Sequence, residues 1–296
     1  MAKTRRRRTG VDALARRALQ EDRAGRDRTT RFLLTGPVSA EGRVVAQASG
    51  VLSGMAVVRA TARTQGLRVV AARADGSRLR AGTTVARLRG DARRILAVER
   101  TVLNFLMHAS GVATATARAV AGARGSRRRL EVWATRKTLP GLRDLEKAAV
   151  VHGGGRPHRR DLAEAVLIKN NHLALVPLAE AVRRARRRAR PGESIQVEVR
   201  SRSQALAAAR AGADALLLDN LTPRAARATV VALERAGLRR ARWVEISGGI
   251  TPERVAAYRS VGADAVSLGG ITHSAPALPF HLILSADRDR LRRPAS

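Results

Sequence analysis

Charged residues and glycines stand at the ends of short apolar runs in the second half of the chain. The runs are EVWATR (131–136), EAVLIK (164–169), SIQVEV (194–199), ADALLLDN (213–220), WVEISGG (243–249) and DAVSLGG (264–270). They end in cations, then acids, then glycine turns, namely Arg136, Lys137, Lys169, Glu198, Asp219, Ser247, Gly248, Gly249, Gly269 and Gly270. Cations attract an anionic substrate, and glycine turns let backbone N–H groups approach a phosphate. The set predicts a site for a small, highly anionic, phosphate-bearing substrate.

Helix-sized segments separate these runs, which is typical of parallel βαβ units. The runs are continuous rather than alternating, as expected of strands covered on both faces. A complete eight-stranded barrel takes about 250 residues, and residues 113–274 have room for six or seven units. We therefore expect an incomplete α/β barrel in which the carboxyl ends of the strands face one common mouth.

The first part of the chain has a different texture. Residues 31–89 indicate strands and turns, and a helical pattern then extends from Asp91, placed as the N-terminal cap, to about Gly122. Its apolar positions recur at three- and four-residue steps and are Ile95, Val98, Val102, Leu103, Leu106 and Ala109. The tail 279–287 has the pattern of a strand that returns to this domain. We predict an N-terminal α/β sandwich domain at 1–112, completed by 275–296, and a barrel at 113–274.

The two acids cannot bind phosphate themselves. Glu198 and Asp219 could hold Mg²⁺, directly or through water, or accept hydrogen bonds from sugar hydroxyls. The alternative is that each forms a salt bridge to an Arg or Lys of the mouth. The alternative for all of these strand-end residues is that strands often end in polar residues. It does not explain why cations come first along the chain, then acids, then glycines.

The loop GGGRPHRRD (153–161) precedes the second strand of the series. Its triple glycine predicts a tight loop that presents Arg156, His158 and Arg159 to an anion. His158 could equally be a structural histidine. The six histidines show no metal-ligand spacing, so a histidine-built zinc site is not expected.

The charge is unusual, because 57 Lys and Arg face 24 Asp and Glu, a formal +33. This balance favours a nucleic-acid partner, but aromatic residues make up only 2% of the chain and leave little to stack on bases. The dense runs Arg5–Arg8, Arg127–Arg129 and Arg183–Arg190 are also typical of solvated helix faces or tails. Only four of the basic residues are lysines (Lys3, Lys137, Lys147 and Lys169), and two of these stand at strand ends.

The sequence also bears on location. The chain has no cysteine, which removes disulfides and cysteine-ligated metals. No stretch has the roughly 18 uncharged apolar residues of a spanning helix, and charges interrupt the apolar runs that follow the basic N-terminus, so neither a membrane span nor a signal peptide is predicted. These features favour a cytoplasmic location.

Taken together, several blocks resemble the quinolinate phosphoribosyltransferase family, a type II phosphoribosyltransferase family. They run in family order and are ERTVLNFLMHASGVAT (99–114), TRKTLPGLRDLEKAAVVHGGGRPHR (135–159), LIKNNH (167–172), VEVRS (197–201), LLLDN (216–220), EISGGI (245–250) and SLGGITHS (267–274). The resemblance implies an α/β sandwich plus an incomplete barrel, and a homodimer in which each site is completed by its neighbour. It also implies conversion of quinolinate and phosphoribosyl pyrophosphate, with Mg²⁺, into nicotinate mononucleotide, pyrophosphate and CO₂, a step of NAD synthesis.

The resemblance also implies a role for each matching residue. Arg136, Lys137, His158, Arg159 and Lys169 would line the quinolinate carboxylates and the adjoining phosphate, and Arg100 would reach in from the other subunit. Glu198 and Asp219 match the family's acids near ribose and magnesium. Ser247, Gly248, Gly249 and Gly270 match its phosphate loops, and Gly269 stands beside them.

Two residues depart from the family pattern. Pro157 stands where the family usually has Asn, and Asn170 where it usually has Asp. Within enzymes, the alternative is therefore a relative that acts on another pyridine or pyrimidine acid. Outside enzymes, it is a basic nucleic-acid-binding protein, and some nonspecific contact with nucleic acid is compatible with the charge even for the enzyme.

Overall fold

The structure is a computed structural model that describes residues 2–125, 130–240 and 242–286, with the side chains of residues 2–9 left outside the description. The chain divides into two compact units. The first comprises Met1–Thr114 with Pro276–Ser296, and the second comprises Ala115–Ala275.

The elements follow one another along the chain. The first are α1 (Ala2–Glu21), a 3-10 turn (Ala24–Arg26), α2 (Arg28–Leu33), β1 (Ser39–Ala46), β2 (Gly50–Val51), α3 (Met55–Thr64), β3 (Arg68–Ala72), β4 (Arg78–Leu79), β5 (Thr84–Asp91) and α4 (Ala92–Ala123). Next come β6 (Glu131–Trp133), α5 (Arg143–His152), β7 (Val166–Ile168), α6 (Asn170–Leu173), α7 (Leu178–Arg188), β8 (Ile195–Val199), α8 (Arg202–Arg210), β9 (Ala215–Asp219) and α9 (Pro223–Arg235). The last are β10 (Trp243–Ser247), a 3-10 helix (Pro252–Tyr258), β11 (Ala265–Ser267), α10 (Gly270–His273) and β12 (Phe280–Ala286).

The first unit is built on a four-stranded antiparallel sheet in the order β12–β1–β5–β3. The chain's tail supplies the edge strand β12, which pairs with β1 from Ala40↔Ala286 to Ala46↔Phe280. The predicted return of the tail to the first domain is therefore confirmed up to Ala286, and Asp287 lies outside the described residues.

The long helix α4 packs its apolar stripe into the core of this unit. Ile95, Val98, Val102 and Leu106 are fully buried there, as their three- and four-residue spacing predicts. The Asp91 carboxylate accepts a hydrogen bond from the Arg93 backbone N–H (3.1 Å), as an N-terminal cap does.

The prediction of strands and turns throughout 31–89 is wrong at two places. The last residues of α2 fall in this range, and α3 interrupts the strands with six buried side chains. Its sequence is rich in β-branched residues, which favour strands. Its N-cap residue, Gly54, has no side chain to cap the helix, and the Met55 backbone N–H donates to the Asp75 carboxylate (3.1 Å), which is distant in sequence. The usual side-chain cap is therefore missing from the sequence just before α3.

The second unit contains a six-stranded parallel sheet in the order β6–β11–β10–β9–β8–β7. All six predicted strands are present, which confirms the α/β class and the incomplete barrel. The free edge of β6 carries one further parallel bridge, between Trp133 and Arg156. This bridge brings the glycine-rich loop 153–159 alongside the sheet.

Two details of this unit differ from the sequence pattern. Strand β8 alternates, with Ile195, Val197 and Val199 buried and its two polar side chains on the opposite face. The last helix-like segment forms a short 3-10 helix rather than an α-helix, with Pro at its start.

The basic runs have different outcomes. In α7 the arginines are exposed on one side of the helix, and three of them pair with Glu180, which is the solvated helix face of the alternative interpretation. Arg5–Arg8 lie in α1, where side chains are not described, and Arg127–Arg129 lie outside the described residues. Within the described ranges, no helix combines the length and apolar character needed to cross a membrane.

Candidate active site at the carboxyl ends of the strands

The parallel sheet brings the predicted strand-end residues to a single edge. Because all six strands run in the same direction, their carboxyl ends lie side by side in the order of the sheet. From β6 to β7 this order is Arg136 and Lys137, Gly269 and Gly270, Ser247 to Gly249, Asp219, Glu198, and Lys169. Contacts between neighbours link most members of this series.

Glu198 lies between two residues that follow β7. One carboxylate oxygen is 3.7 Å from the Lys169 ammonium, and the other accepts hydrogen bonds from the Asn170 side-chain amide (2.5 Å) and backbone N–H (3.3 Å). Asn170, which departs from the family pattern, is neutral and therefore holds the Glu198 carboxylate by hydrogen bonds alone. A carboxylate at position 170 would instead face Glu198 with like charge.

Asp219 ends β9 and pairs with Arg200, whose Nε lies 3.1 Å from the carboxylate. Both predicted acids therefore have a cationic partner, as the salt-bridge alternative expected. The Asp219 side chain is 14% exposed and the Glu198 side chain 13%, so each keeps a limited opening towards solvent. Arg200 lies in the VEVRS block (197–201) but is not among the predicted site residues.

Glycine is required at the turn that follows β10. Gly248 has φ +100°, and a Cβ there would come within 2.6 Å of the Asn220 backbone nitrogen. The Asn220 N–H donates to the Ser247 carbonyl (2.9 Å), which ties this turn to the end of β9. Gly249 has φ +58° but open space around its Cα. Within the SGG turn, Gly249 is thus the exposed position, whereas Gly248 is half-buried against Asn220.

The second glycine turn lies against the cations that follow β6. A Cβ on Gly269 would lie 2.9 Å from the Lys137 side chain, and the Thr272 hydroxyl donates to the Lys137 carbonyl (2.7 Å). The Nε of Arg136 is buried and finds no hydrogen-bond partner within the described part of the chain. A buried guanidinium N–H without an acceptor is costly, and an anionic ligand would supply the acceptor.

The loop 153–159 adds a histidine and an arginine to the same unit. Gly155 has no room for a Cβ, which would lie 2.7 Å from Thr116 and 3.1 Å from the Val132 carbonyl oxygen. Arg159 is buried and donates to the Ala165 carbonyl (2.9 Å). Burial and, after it, the charge of Arg136 lower the pKa of Arg159, so the two guanidinium groups lie close enough to repel each other.

The imidazole of His158 lies against the buried carboxylate of Glu245. Its Nε2 lies 3.6 Å from Glu245, whose side chain is 2% exposed and also accepts from the Gln196 amide (2.9 Å). The edge of Trp133 packs against the imidazole, with the ring centroids 5.4 Å apart. Burial acts to raise the pKa of Glu245, but the hydrogen bond and charge of His158, with smaller contributions from other hydrogen bonds, outweigh it, so the pKa lies below its usual value. Glu245 is not among the predicted site residues, although it stands inside the apolar run WVEIS and begins the EISGGI block (245–250).

A buried lysine holds the backbone of the same loop. Lys147, on α5, is 1% exposed, and its ammonium donates to the carbonyls of Pro157, His158 (3.4 Å) and Arg159 (2.9 Å). Burial, followed by the charge of Arg143, lowers the pKa of Lys147 to about 8. Lys147 is not among the predicted site residues, although lysine is scarce in this chain and Lys147 lies in the family block 135–159.

Arg100 belongs to the other unit. It is exposed on α4, within the first compact unit. Its contribution to a neighbouring subunit stays a prediction.

Glu198 and Asp219 could hold Mg²⁺ together with water and substrate phosphate, but not as a site made of protein ligands alone. Among the described residues, no group of three or more His, Cys, Asp or Glu side chains is arranged to hold a metal ion. Magnesium, however, keeps several waters and uses one or two carboxylates together with substrate phosphates. Glu198 and Asp219, near the glycine turns, fit such a water- and phosphate-rich site.

The fold and this edge define the class: a parallel α/β enzyme whose candidate site lies at the carboxyl ends of its strands. The model of the quinolinate phosphoribosyl transferase C-terminal domain matches residues 112–283, and that of the N-terminal domain matches residues 27–110. The chain belongs to the quinolinate phosphoribosyl transferase family, as the motifs predicted.

Individual relatives agree with this assignment. A probable nicotinate-nucleotide pyrophosphorylase [carboxylating] of Archaeoglobus fulgidus is 42% identical over 82% of this chain and 93% of its own length. The nicotinate-nucleotide pyrophosphorylase [carboxylating] of Mycobacterium leprae is 38% identical over 91% of this chain and 95% of its own. Among solved structures, NadC from Streptococcus pyogenes superposes with a TM-score of 0.84 at 34% identity, covering 93% of this chain and 98% of that one.

Proposed function

We propose that the protein transfers the phosphoribosyl group of phosphoribosyl pyrophosphate to quinolinate. The products are nicotinate mononucleotide, pyrophosphate and CO₂, and the reaction is a step of NAD biosynthesis. The observation that carries the proposal is the single strand edge at which Arg136, Lys137 and Lys169 accompany two acids and two glycine turns. A dicarboxylate and a pyrophosphate ester together carry several negative charges, which a cation-lined edge is suited to receive.

The roles follow from the chemistry of each side chain. Arg136, Arg159 and Lys169 bind the two carboxylates, with His158 beside them. The buried, unpartnered Nε of Arg136 supports this assignment. The backbone of the SGG turn and of Gly269–Gly270, together with Lys137, binds phosphate.

The reaction needs no covalent enzyme intermediate. The pyridine nitrogen of quinolinate attacks C1 of the ribose while the C1–O bond to pyrophosphate breaks, and that oxygen leaves with the bonding pair. The ring becomes a pyridinium, and its C2 carboxylate departs as CO₂. The bonding pair stays on C2, which then takes a proton from water. Positive charge develops at C1 during the first step, and Glu198 and Asp219 stabilise it through the ribose hydroxyls and by their own charge.

We further propose Mg²⁺ as the cofactor. It would be held near Glu198 and Asp219, through water or directly, and would neutralise charge on the departing pyrophosphate. Arg200 and Lys169 pair with these acids in the ligand-free structure. Binding of the ion and the ribose would loosen both pairs. We also propose a cytoplasmic homodimer in which Arg100 of each chain completes the other chain's site.

A product assay with two acids tests the proposal. Quinolinate labelled in its 2-carboxylate is incubated with phosphoribosyl pyrophosphate and Mg²⁺, and released CO₂ is compared with mononucleotide formed. We expect equal amounts of both, no release without phosphoribosyl pyrophosphate, and loss of turnover in EDTA that added Mg²⁺ restores. Turnover of nicotinate without turnover of quinolinate would show instead that the protein acts on a monocarboxylate.

A further inference from the structure

The buried ammonium of Lys147 has an unusual set of partners. It faces three consecutive backbone carbonyls, those of Pro157, His158 and Arg159. Among the described residues no carboxylate lies within ion-pair distance of it. Since an ammonium carries three N–H donors, it can serve all three carbonyls at once.

This arrangement fixes a backbone conformation that the loop would not adopt on its own. Three successive carbonyl groups can converge on one atom only if the chain curls around it. His158, in the middle, has φ +55°, a region that non-glycine residues rarely occupy. The Lys147 ammonium compensates for this conformation by satisfying the converging carbonyls.

The curled backbone directs the two side chains of the loop. The His158 ring turns towards Glu245 (3.6 Å) and Trp133, while the Arg159 guanidinium reaches the Ala165 carbonyl (2.9 Å). A loop released from Lys147 would keep both side chains but lose their orientation. Because binding of a rigid dicarboxylate depends on the spacing of its cations, the loss would appear first in substrate affinity.

We infer that Lys147 is a positioning residue for quinolinate: its buried ammonium clamps the 157–159 backbone and thereby orients His158 and Arg159 towards the substrate carboxylates. This inference rests on the proposed function for the identity of the substrate. The clamp itself is a property of the ligand-free protein and can be measured without substrate.

The chain offers an internal reporter for the clamp. It contains two tryptophans, and Trp133 contacts the His158 ring directly. The ring centroid of Trp243 lies 5.8 Å from that of Trp133, and Trp243 is 36% exposed. In a Trp243→Phe background, the emission of Trp133 therefore reports the position of His158.

The experiment compares three variants in this background. Lys147→Met keeps the length of the side chain but has no donor, and Lys147→Gln keeps two N–H donors on a shorter stem. Arg160→Met removes a neighbouring cation that pairs with Asp144 and does not contact the three carbonyls. Each protein is characterised by thermal melting, by its Trp133 emission, and by KM and kcat for quinolinate.

We expect Lys147→Met to shift the Trp133 emission and to raise KM for quinolinate at least about tenfold, with kcat within about threefold, since one lost charged hydrogen-bond donor has an effect of that size. Lys147→Gln should recover part of both effects, and Arg160→Met should change neither. A folded Lys147→Met protein with unaltered emission and unaltered KM would overturn the inference.

If neither Lys147 variant folds, the Trp243→Phe protein decides alone. The charged groups facing Lys147 are Arg143, Arg160, Arg136 and Glu164, and the pKa of Lys147 is about 8. Deprotonation removes one of the three donors to the loop, so Trp133 emission should change as Lys147 titrates, at a pH below the ordinary lysine value of 10.5. Emission that stays flat from pH 7 up to the onset of alkaline unfolding would refute the clamp. Wild-type protein that converts no quinolinate would refute only the proposed function, because the emission test uses no substrate.

Discussion

At the scale of single residues, the candidate site depends on basic side chains that are not fully engaged by other protein groups and can therefore bind a ligand. Lys169 is the clearest case, because its side chain is 48% exposed and its one ion pair within the described residues, to Glu198, is long at 3.7 Å. It contributes little packing, so its charge is free to serve a substrate.

We predict that Lys169→Met lowers kcat/KM for quinolinate about 30-fold or more, since removing one charged contact to a bound anion costs about 2–5 kcal/mol. The melting temperature should stay within about 2 °C of wild type, because exposed side chains away from packed features change stability little. Steady-state kinetics and calorimetry measure the two quantities. Arg188→Met, an exposed arginine of α7, is the matched control and should alter neither. A collapse of the fold in Lys169→Met would identify a structural lysine instead.

The site residues that could be predicted from the sequence differ from those that could not in how far away, along the chain, their contacts lie. Lys169 and Asp219 could be predicted because each follows an apolar strand, a position with a known direction. Lys147 and Glu245 could not, because their partners are backbone carbonyls and side chains distant in sequence. Charged residues within apolar runs predict burial, but not what they contact.

At the scale of elements, strand ends and turns set the geometry of the edge. The two glycines of the SGG turn differ in a way that can be measured. Gly248 combines φ +100° with contact to the Asn220 backbone, whereas Gly249 has φ +58° and open space.

We predict that Gly249→Ala destabilises the fold by about 1–2 kcal/mol, the cost of a left-handed non-glycine residue. Gly248→Ala should cost more, about 2–5 kcal/mol, because overpacking against backbone adds about 1–3 kcal/mol. Denaturant unfolding of both variants gives the comparison. Equal losses, or a larger loss in Gly249→Ala, would contradict the account of this turn.

The elements themselves could be predicted where local signals suffice. The six strands of the parallel sheet were evident from continuous apolar runs, and α4 from the spacing of Ile95, Val98 and Val102. The helix α3 was missed because it contains several β-branched residues and because the carboxylate that accepts from its first N–H, that of Asp75, lies in a later turn. The alternation of β8 was missed as well, since Gln196 and Glu198 owe their common face to the tertiary environment.

At the scale of the whole molecule, the buried lysine links stability to pH. In the folded chain the pKa of Lys147 is about 8, below the ordinary lysine value of 10.5, so between these two values the unfolded chain binds the proton and the folded chain does not. Stability contributed by this group therefore rises with pH across that window. Folding therefore favours the neutral amine of Lys147 over the ammonium. The neutral amine, however, has one N–H donor fewer for the carbonyls of the loop.

We predict that the difference in unfolding free energy between wild type and Lys147→Met rises by about 1.4 kcal/mol per pH unit from pH 8 towards 10.5. Subtracting the variant removes the titration of every other group. In Arg160→Met the rise should begin at a higher pH, because a neighbouring cation that lowers this pKa is gone. A difference independent of pH would contradict the assigned protonation.

The proposed shared site makes a second prediction at this scale. Arg100→Ala and Lys169→Met should each be nearly inactive, yet a refolded equimolar mixture should recover about a quarter of wild-type activity. In a two-fold dimer, half the molecules are hybrids and one of their two sites is intact. Recovery is measured after co-refolding, with each variant refolded alone as the control. No recovery would mean that Arg100 serves its own chain.

The central claim is that strand-end cations of one unit bind both carboxylates of a single small anion. A crystal structure of the protein with quinolinate tests it most directly. The account predicts quinolinate at the carboxyl edge of the parallel sheet, with its carboxylate oxygens within hydrogen-bond distance of Arg136, Arg159 and Lys169. Quinolinate bound away from this edge, with the Arg136 Nε still unpartnered, would contradict it.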